Sequence, residues 1–312
     1  MTTHLYTHSI FAEHDTPAGH PERPDRIRAV ADALDAERDD RFERLVRFET
    51  QAADPELFGH AHPASHVKML RDARPDEGDR NRLDPDTYMS AMTWDCMRHA
   101  CGGLVQAVDA VARGEADNAF VAARPPGHHA EKTTAMGFCF VNNVAVAARH
   151  AQRAHEFERV AIVDFDVHHG NGTQDIFEDD ASVFYASTHQ MPLFPGTGRK
   201  TERGVGNICN APLDPGAGSA QFREAFIERV LAELDAWGPD MIFVSAGFDA
   251  HHLDPLANVM LTEEDFDWAT GRLMGMAEKH CENRLVSVLE GGYDLEGLAK
   301  SCAAHVNRMM TG

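Results

Sequence analysis

The stretch VAIVDFDVHHGNGT, residues 160–173, decides the fold class. Its apolar part, Val160 to Asp166, is continuous rather than alternating, which is typical of a strand that is covered on both faces of a parallel sheet. If this strand runs as far as His168, its period of two places Asp164, Asp166 and His168 on one face, so Asp166 and His168 can reach a single ion. Ligands in open α/β sheets bind beyond the carboxyl ends of the strands. The polar residues that end this stretch are therefore expected at a functional site.

Further apolar runs alternate with amphipathic segments along the chain, which predicts an α/β protein with a parallel central sheet. The other predicted strands are Ala119 to Ala123, Val183 to Ser187, Met241 to Ser245 and Leu285 to Leu289. The predicted helices are Pro24 to Ala36, Ser90 to Arg113, Asn142 to His155, Ala220 to Trp237 and Thr262 to Glu278. No repeat or linker divides the sequence, so residues 1–312 are expected to form one domain.

Polar motifs follow four of the five predicted strands. They are RPPGHH at 124–129, DFDVHHGNG at 164–172, GFD at 247–249 and EGGY at 290–293. If these strand ends converge, Asp249 supplies a third ligand beside Asp166 and His168. Two carboxylates and one imidazole with an open position are typical of a catalytic zinc, whereas a closed structural site normally uses four ligands rich in sulfur. The sequence therefore predicts a zinc centre with room for a water molecule.

These four motifs, in this order, resemble the signature blocks of the histone deacetylase family. The resemblance runs from about His20 to Tyr293, and composite motifs of this length are highly specific. Asn171 and the segment Asp86 to Ser90 are closer to the class II branch and its bacterial relatives than to class I, which has Asp at the position of Asn171. The resemblance implies an arginase/deacetylase fold with a central eight-stranded parallel sheet flanked by helices, forming a single deacetylase catalytic domain.

The family assigns a role to each residue of the four blocks. By resemblance, Asp166, His168 and Asp249 bind one zinc per chain, and His129 is the general base and then the general acid. His128 is the neighbouring imidazole oriented by Asp164, Asn171 lies behind His129, and Tyr293 donates to the carbonyl oxygen. Hydrolysis of an amide needs this chemistry on physical grounds as well: zinc polarises the carbonyl and acidifies water, and a positioned base moves the proton.

The resemblance also implies a substrate tunnel and a second ion. The substrate-binding residues would be Gly137, Phe138, Phe194, Gly291, Leu256, Asp86 and Arg26, with the two phenyl rings as tunnel walls and Arg26 at an inner acetate channel. A structural potassium ion would be held at Asp164, Asp166, His168, Ser187 and Thr188. Two features depart from many relatives: Leu193 replaces a second aromatic before Phe194, and the loop 189–192 is shorter than in class I.

Three alternatives remain open to different degrees. Binuclear arginase chemistry is disfavoured because only one full metal site can be built from these motifs. A non-catalytic acyl-lysine binding protein could lose its base or oxyanion donor, yet His129 and Tyr293 are both present. Acetylpolyamine hydrolysis is the serious competitor. Polyamine-selective relatives have a glutamate after Asp-Pro, where this chain has Leu256, and that residue favours acyl-lysine as substrate.

Composition excludes several classes of partner. Asp and Glu number 50 against 29 Lys and Arg, and the formal charge of -21 disfavours nucleic acid and anionic membranes while attracting cationic substrates. A solvated acidic surface suited to a salty cytoplasm explains the same charge. The six cysteines contain no Cys-x-x-Cys pair and are expected to be reduced and mostly buried. With neither a signal-peptide pattern nor a run of eighteen apolar residues, the expected location is cytoplasmic.

Overall fold

An eight-stranded, entirely parallel sheet forms the centre of the protein in a computed structural model that describes residues 1–312. The sheet order is β2-β1-β5-β10-β9-β6-β7-β8, and a separate antiparallel hairpin pairs β3 with β4. The strands are β1 (Thr3–Thr7), β2 (Val46–Glu49), β3 (Arg80–Asp84), β4 (Thr87–Ser90), β5 (Asn118–Val121), β6 (Val160–Asp164), β7 (Val183–Gln190), β8 (Ile208–Leu213), β9 (Met241–Ala246) and β10 (Leu285–Leu289). The predicted fold class is therefore confirmed.

Helices cover both faces of the sheet. They are α1 (Asp25–Ala33), α2 (Ala64–Asp72), α3 (Thr93–Ala112), α4 (Asn143–His155), α5 (Asn171–Phe177), α6 (Ser219–Ala225), α7 (Ala232–Trp237), α8 (Glu263–Cys281) and α9 (Leu295–Thr311); a π-helical segment, Phe226–Leu231, joins α6 to α7. One group consists of α1, α8 and α9, and the other contains α3 and α4. Strands β5 and β9 each contact a helix from both groups, so the two groups lie on opposite faces.

The five predicted strands are all present, and the central ones are buried along their whole length. One expectation about them is wrong. Strand β6 ends at Asp164, so Asp166 and His168 lie in the bend that follows and are not brought together by strand periodicity. The predicted helix at Ser90 also begins three residues later, because Ser90 ends β4 and its backbone N–H donates to Thr93 Oγ1 at 2.8 Å.

The sequence patterns did not predict strands β1, β2 and β8 of the sheet, the β3–β4 hairpin, or helices α2, α5 and α9. The four residues of β2 are exposed, and β8 contains Pro212, which disfavours a strand assignment. Strands β2 and β8 lie at the sheet edges, where an exposed face and a missing N–H are tolerated.

All six cysteines are free and buried, as expected. None of the helices combines the length and the apolar character that crossing a membrane requires.

A buried ion network ties the N-terminal segment to the ends of β5 and β10. The side chain of Glu22 accepts a hydrogen bond from Arg26 Nη1 at 3.0 Å and from Arg124 Nη2 at 2.7 Å, and all three side chains are fully buried. Burial by itself would raise the pKa of Glu22, but Arg124 and His14 hold that pKa well below its ordinary value. Glu22 therefore supplies the counter-charge for two buried guanidinium groups.

We predict that Glu22→Gln lowers the free energy of unfolding by about 3–5 kcal/mol, because it leaves two buried cations without a negative partner. Denaturant unfolding at pH 7 measures the change. The matched control is Asp72→Asn, which removes the exposed ion pair with Lys68 and should change stability by less than about 0.5 kcal/mol. Equal effects of the two substitutions on the free energy of unfolding would contradict the role of Glu22 as the counter-charge of the buried arginines. In the wild type, this contribution should be complete above the ordinary carboxyl pKa and should decline as the pH falls towards the depressed folded-state value.

Candidate active site

Asp166, His168 and Asp249 converge where β6 and β9 end. Their candidate ligand atoms all lie within 4.8 Å of one another. His168 Nδ1 lies 3.2 Å from Asp166 Oδ1 and 3.0 Å from Asp249 Oδ2. The bend after β6 is fixed by the same carboxylates, since Asp249 Oδ1 accepts from Val167 N at 2.8 Å and Asp166 Oδ1 accepts from His168 N at 2.9 Å. Two carboxylates and an imidazole therefore face one point and could hold a metal ion.

Glycines leave room around these carboxylates. The N–H of Gly291 donates to Asp166 Oδ2 at 2.8 Å, and a Cβ on Gly291 would collide with the carboxylates of Asp249 and Asp166. A Cβ on Gly247 would meet the Asp166 carboxylate in the same way. The backbone thus approaches the ligand oxygens more closely than any residue with a side chain allows.

Negative charge is concentrated at this point. Asp164, Asp166, Asp249 and Glu290 are almost completely buried at neighbouring strand ends. Burial, together with the charge of Asp166, raises the pKa of Asp249 to about 7. Burial would lower the pKa of His168, but Asp249 and Asp166 outweigh it and raise the pKa to about 10. The charge of Asp166 thus disfavours a second charge on Asp249, and a bound cation would relieve this repulsion.

The two imidazoles of residues 128 and 129 have opposite environments. His128 Nδ1 lies 3.0 Å from Asp164 Oδ2, and His129 Nδ1 lies 2.7 Å from Asn171 Oδ1. Burial would lower the pKa of His128, but Asp166 and Asp164 outweigh it and raise the pKa to about 10. Burial lowers the pKa of His129 well below its usual range, and the neighbouring His128 and His168 lower it further. His129 is therefore the neutral ring of the pair.

The hydrogen bonds of Asn171 select the tautomer of His129. Asn171 Nδ2 donates to Glu131 Oε1 at 2.8 Å, which turns Oδ1 towards the His129 ring as an acceptor. His129 Nδ1 must then carry the proton, and Nε2 keeps its lone pair. A neutral imidazole with a free Nε2 can accept a proton from a water molecule.

A cavity of about 240 Å³ lies over these groups. It is lined by Pro21, Asp86, His129, Gly137, Phe138, His168, Leu193, Phe194, Leu256 and Tyr293. The ring centroid of Phe194 lies 5.1 Å from that of His129, and the ring centroid of Phe138 lies 5.6 Å from that of Tyr293. Phe138 has a φ of 68° and is held there by its N–H, which donates to Thr87 Oγ1 of β4 at 3.0 Å. Of the seven residues expected to bind substrate, Gly291 and Arg26 do not line this cavity.

Gly291 and Arg26 lie beneath the cavity instead. Gly291 contacts the metal-ligand carboxylates, as described above. Arg26 is completely buried; its Nε donates to Gly292 O at 2.6 Å and its Nη2 to Glu290 O at 2.5 Å. The Arg26 guanidinium carbon also lies 4.8 Å from the centre of the Tyr293 ring. Arg26 therefore holds the backbone of the EGGY motif and supports the Tyr293 ring.

Two acidic residues that position this site were missed by sequence reasoning. Asp254 accepts hydrogen bonds from Tyr293 N at 2.7 Å and from Leu256 N at 3.0 Å, and so joins the Tyr293 and Leu256 segments. Glu290 Oε2 accepts from Gly127 N at 2.7 Å and His128 N at 3.2 Å, which fixes the backbone before His129. Their positions directly before Pro255 and within EGGY were visible signals, but Tyr293, the partner of Asp254, and Gly127 and His128, the partners of Glu290, are distant in sequence.

The residues expected at a potassium site lie at the end of β6, in the bend after it, and on the adjacent strand β7. Thr188 Oγ1 is buried and has no hydrogen-bond partner. Ser187 Oγ pairs with His189 Nδ1 at 2.8 Å, and no N–H donates to the carbonyl oxygens of Asp166 or His168. Free buried oxygens in this arrangement suit a hard monovalent cation.

Comparison with known proteins gives the family. A family model described as histone deacetylase domain matches residues 20–309. This chain belongs to the histone deacetylase family. It is similar to a probable deacetylase of Archaeoglobus fulgidus, with 38% identity over 95% of this chain and 83% of that protein. It is also similar to human polyamine deacetylase HDAC10, with 36% identity over 95% of this chain and 45% of that protein.

A solved structure supports the same relationship. The crystal structure of the HDA15 HD domain superimposes with a TM-score of 0.92 at 33% identity, covering 99% of this chain and 90% of that one. The family membership that the four motifs suggested is confirmed, and the chain is a hydrolase of the deacetylase type.

We predict that Gly291→Ala weakens metal binding at the Asp166, His168 and Asp249 cluster by about 10–100-fold, because the new Cβ displaces two carboxylates. Metal content after dialysis and circular dichroism measure binding and folding separately. The control is Gly275→Ala in α8, where a Cβ meets nothing within 4 Å. That variant should keep full metal content, and the hypothesis fails if Gly291→Ala does so too.

Proposed function

We propose that residues 1–312 form one catalytic domain of a zinc-dependent deacetylase that hydrolyses the side-chain amide of acyl-lysine. The observation that carries the proposal is the position of His129. Its neutral ring, with Nε2 free, lines the same cavity as Tyr293 and His168, and the ring centroids of His129 and His168 are 5.9 Å apart. A general base, an oxyanion donor and a ligand set with an open side are the three parts that amide hydrolysis requires.

Asp166, His168 and Asp249 fit zinc, and they would hold one tightly bound ion per chain. The donor set is mixed oxygen and nitrogen, is buried, and is flanked by Gly247 and Gly291, which leave room for the carboxylates. Zinc bound there would polarise the amide carbonyl and acidify a water molecule. Potassium would occupy the oxygens near Thr188, whose hydroxyl otherwise has no partner.

The protein side chains handle the protons. His129 Nε2 accepts a proton from the attacking water and later delivers it to the amine that leaves. Asn171 keeps the ring in the tautomer that permits this transfer. His128 is oriented by Asp164, whose Oδ2 lies 3.0 Å from His128 Nδ1, and its ring centroid lies 4.0 Å from that of His129. Tyr293 donates its hydroxyl proton in a hydrogen bond to the oxygen on which negative charge develops, and burial keeps the phenol protonated by raising its pKa.

We predict that Tyr293→Phe lowers deacetylation by about 10²–10³-fold while zinc content and fold are unchanged, because only the donor hydroxyl is removed. Turnover of an unactivated acetyl-lysine amide should be measured, since an activated trifluoroacetyl substrate depends less on the donor. Wild-type activity should disappear on exhaustive chelation and return with zinc. A variant within three-fold of wild type would reduce Tyr293 to a cavity wall, and full activity after chelation would refute the zinc mechanism.

The lining of the cavity favours acyl-lysine over an acetylated polyamine. The walls that would surround the substrate chain are mostly apolar: Phe138, Phe194, Leu193 and Leu256 face the cavity, and Asp86 is the one carboxylate in its lining. A monoacetylated polyamine has an ammonium group several carbons from its amide, and Leu256 offers that group no counter-charge. The similarity to human polyamine deacetylase HDAC10 and the charge of -21 favour the alternative, acetylpolyamine deacetylation.

We predict that Leu256→Glu raises kcat/KM for N-acetylated polyamines relative to acetyl-lysine peptides by about 5–150-fold, the equivalent of about 1–3 kcal/mol for a hydrogen bond to a charged group. The ratio should be measured at several salt concentrations, because screening separates long-range attraction by the acidic surface from a local contact. Leu256→Gln is the control, since it adds polarity at similar size without the charge. An unchanged ratio in Leu256→Glu would remove Leu256 as the basis for choosing acyl-lysine.

A further inference from the structure

A second group of metal-ligating side chains lies away from the candidate active site, between α3 and α4. Asp109 comes from the last turn of α3, and His150 and His155 come from α4. His150 Nε2 lies 2.8 Å and His155 Nε2 lies 2.7 Å from the same oxygen, Asp109 Oδ1. The three candidate ligand atoms are all within 4.8 Å of one another. Two imidazoles and a carboxylate on two packed helices therefore point at one place.

We propose that Asp109, His150 and His155 form a second metal site that binds an exchangeable divalent transition-metal ion such as Zn²⁺ or Ni²⁺. Imidazole nitrogen with one carboxylate oxygen suits the borderline ions, whereas Mg²⁺ and Ca²⁺ prefer oxygen ligands throughout. With three protein ligands, the site leaves positions for water, so it binds its ion less tightly than a closed four-ligand site.

The contacts around the cluster leave the ligand atoms free for an ion. The two oxygens of the Asp109 carboxylate have different partners. Arg113 Nη2 lies 3.3 Å from Oδ2, whereas Oδ1 contacts the two imidazoles. In the metal-free protein both Nε2 atoms carry protons towards Oδ1. An ion would take the Nε2 lone pairs once the protons have moved to Nδ1, which makes no hydrogen bond within the protein in either ring. The exchange therefore breaks no other contact.

Accessibility and electrostatics favour a cation here. The side chains of Asp109, His150 and His155 are 27%, 14% and 16% exposed, so an ion can reach them from solvent. Asp109 and His155 lie in the last turns of α3 and α4, where the helix dipoles place partial negative charge. An ion at this site would join the end of α4 to α3, and α4 begins directly after the loop that contains His129 and Phe138.

The test is a calorimetric titration of Ni²⁺ into the tag-free chain of residues 1–312 that has already been loaded with zinc and dialysed. We expect one Ni²⁺ site per chain beyond the resident zinc, with an affinity at least about ten-fold lower in His150→Gln and in Asp109→Asn. Asn at 109 keeps an oxygen acceptor for both imidazoles, so it separates loss of the ion from loss of packing. Ni²⁺ should raise the melting temperature of the wild type and not of these variants.

The matched control is His280→Gln. His280 Nε2 lies 2.6 Å from Asp235 Oδ1 at similar exposure, so this pair resembles half of the cluster but has no second imidazole. His280→Gln should bind Ni²⁺ like the wild type, and all variants should keep their zinc and their deacetylase activity. Unchanged Ni²⁺ binding in both His150→Gln and Asp109→Asn, or the absence of any Ni²⁺ site in the wild type, would overturn the proposal.

Discussion

The structure depends on carboxylates that are buried together at the carboxyl ends of neighbouring strands. Asp164 ends β6, Asp249 follows β9 and Glu290 follows β10, and each is almost completely buried. Burying one charge without a partner costs several kcal/mol, so this arrangement is stable only if backbone N–H groups, imidazoles and cations surround it. Glycines at 247 and 291 bring the backbone close enough to do so. The need to surround buried carboxylates explains why the four motifs combine acidic residues with histidine and glycine.

The buried arginines extend this constraint to the N-terminal segment. Glu22 holds Arg26 and Arg124, and Arg26 in turn donates to the carbonyl oxygens of Glu290 and Gly292. The backbone that positions Tyr293 is thus connected to a carboxylate some 270 residues earlier in the chain. Because these buried groups are hydrogen-bonded to one another in series, the removal of one charge leaves several polar groups without a hydrogen-bond partner. Stability and the alignment of Tyr293 are coupled through Arg26.

Sequence reasoning succeeded where one short segment contained the whole signal. Continuous apolar runs predicted the central strands, and the motifs after them predicted which residues would meet. It failed at the sheet edges, where β2 is exposed and β8 contains Pro212, because edge strands need not be apolar or donate every N–H. It also missed Asp254 and the cluster at Asp109, whose partners lie in other elements. His150 and His155 are five residues apart, which is not the three- or four-residue spacing that marks one helix face.

The residues proposed for catalysis and those proposed for substrate selectivity lie in different parts of the fold. The groups proposed to act on the amide lie at buried strand ends, whereas Phe138, Phe194 and Leu256 belong to loops that reach the cavity from separate parts of the chain. Asp254 links the two sets, but it does so through the backbone N–H groups of Tyr293 and Leu256. A substitution at 256 keeps that N–H and therefore need not disturb Tyr293. The backbone contact that anchors this segment is therefore independent of which side chain stands at position 256.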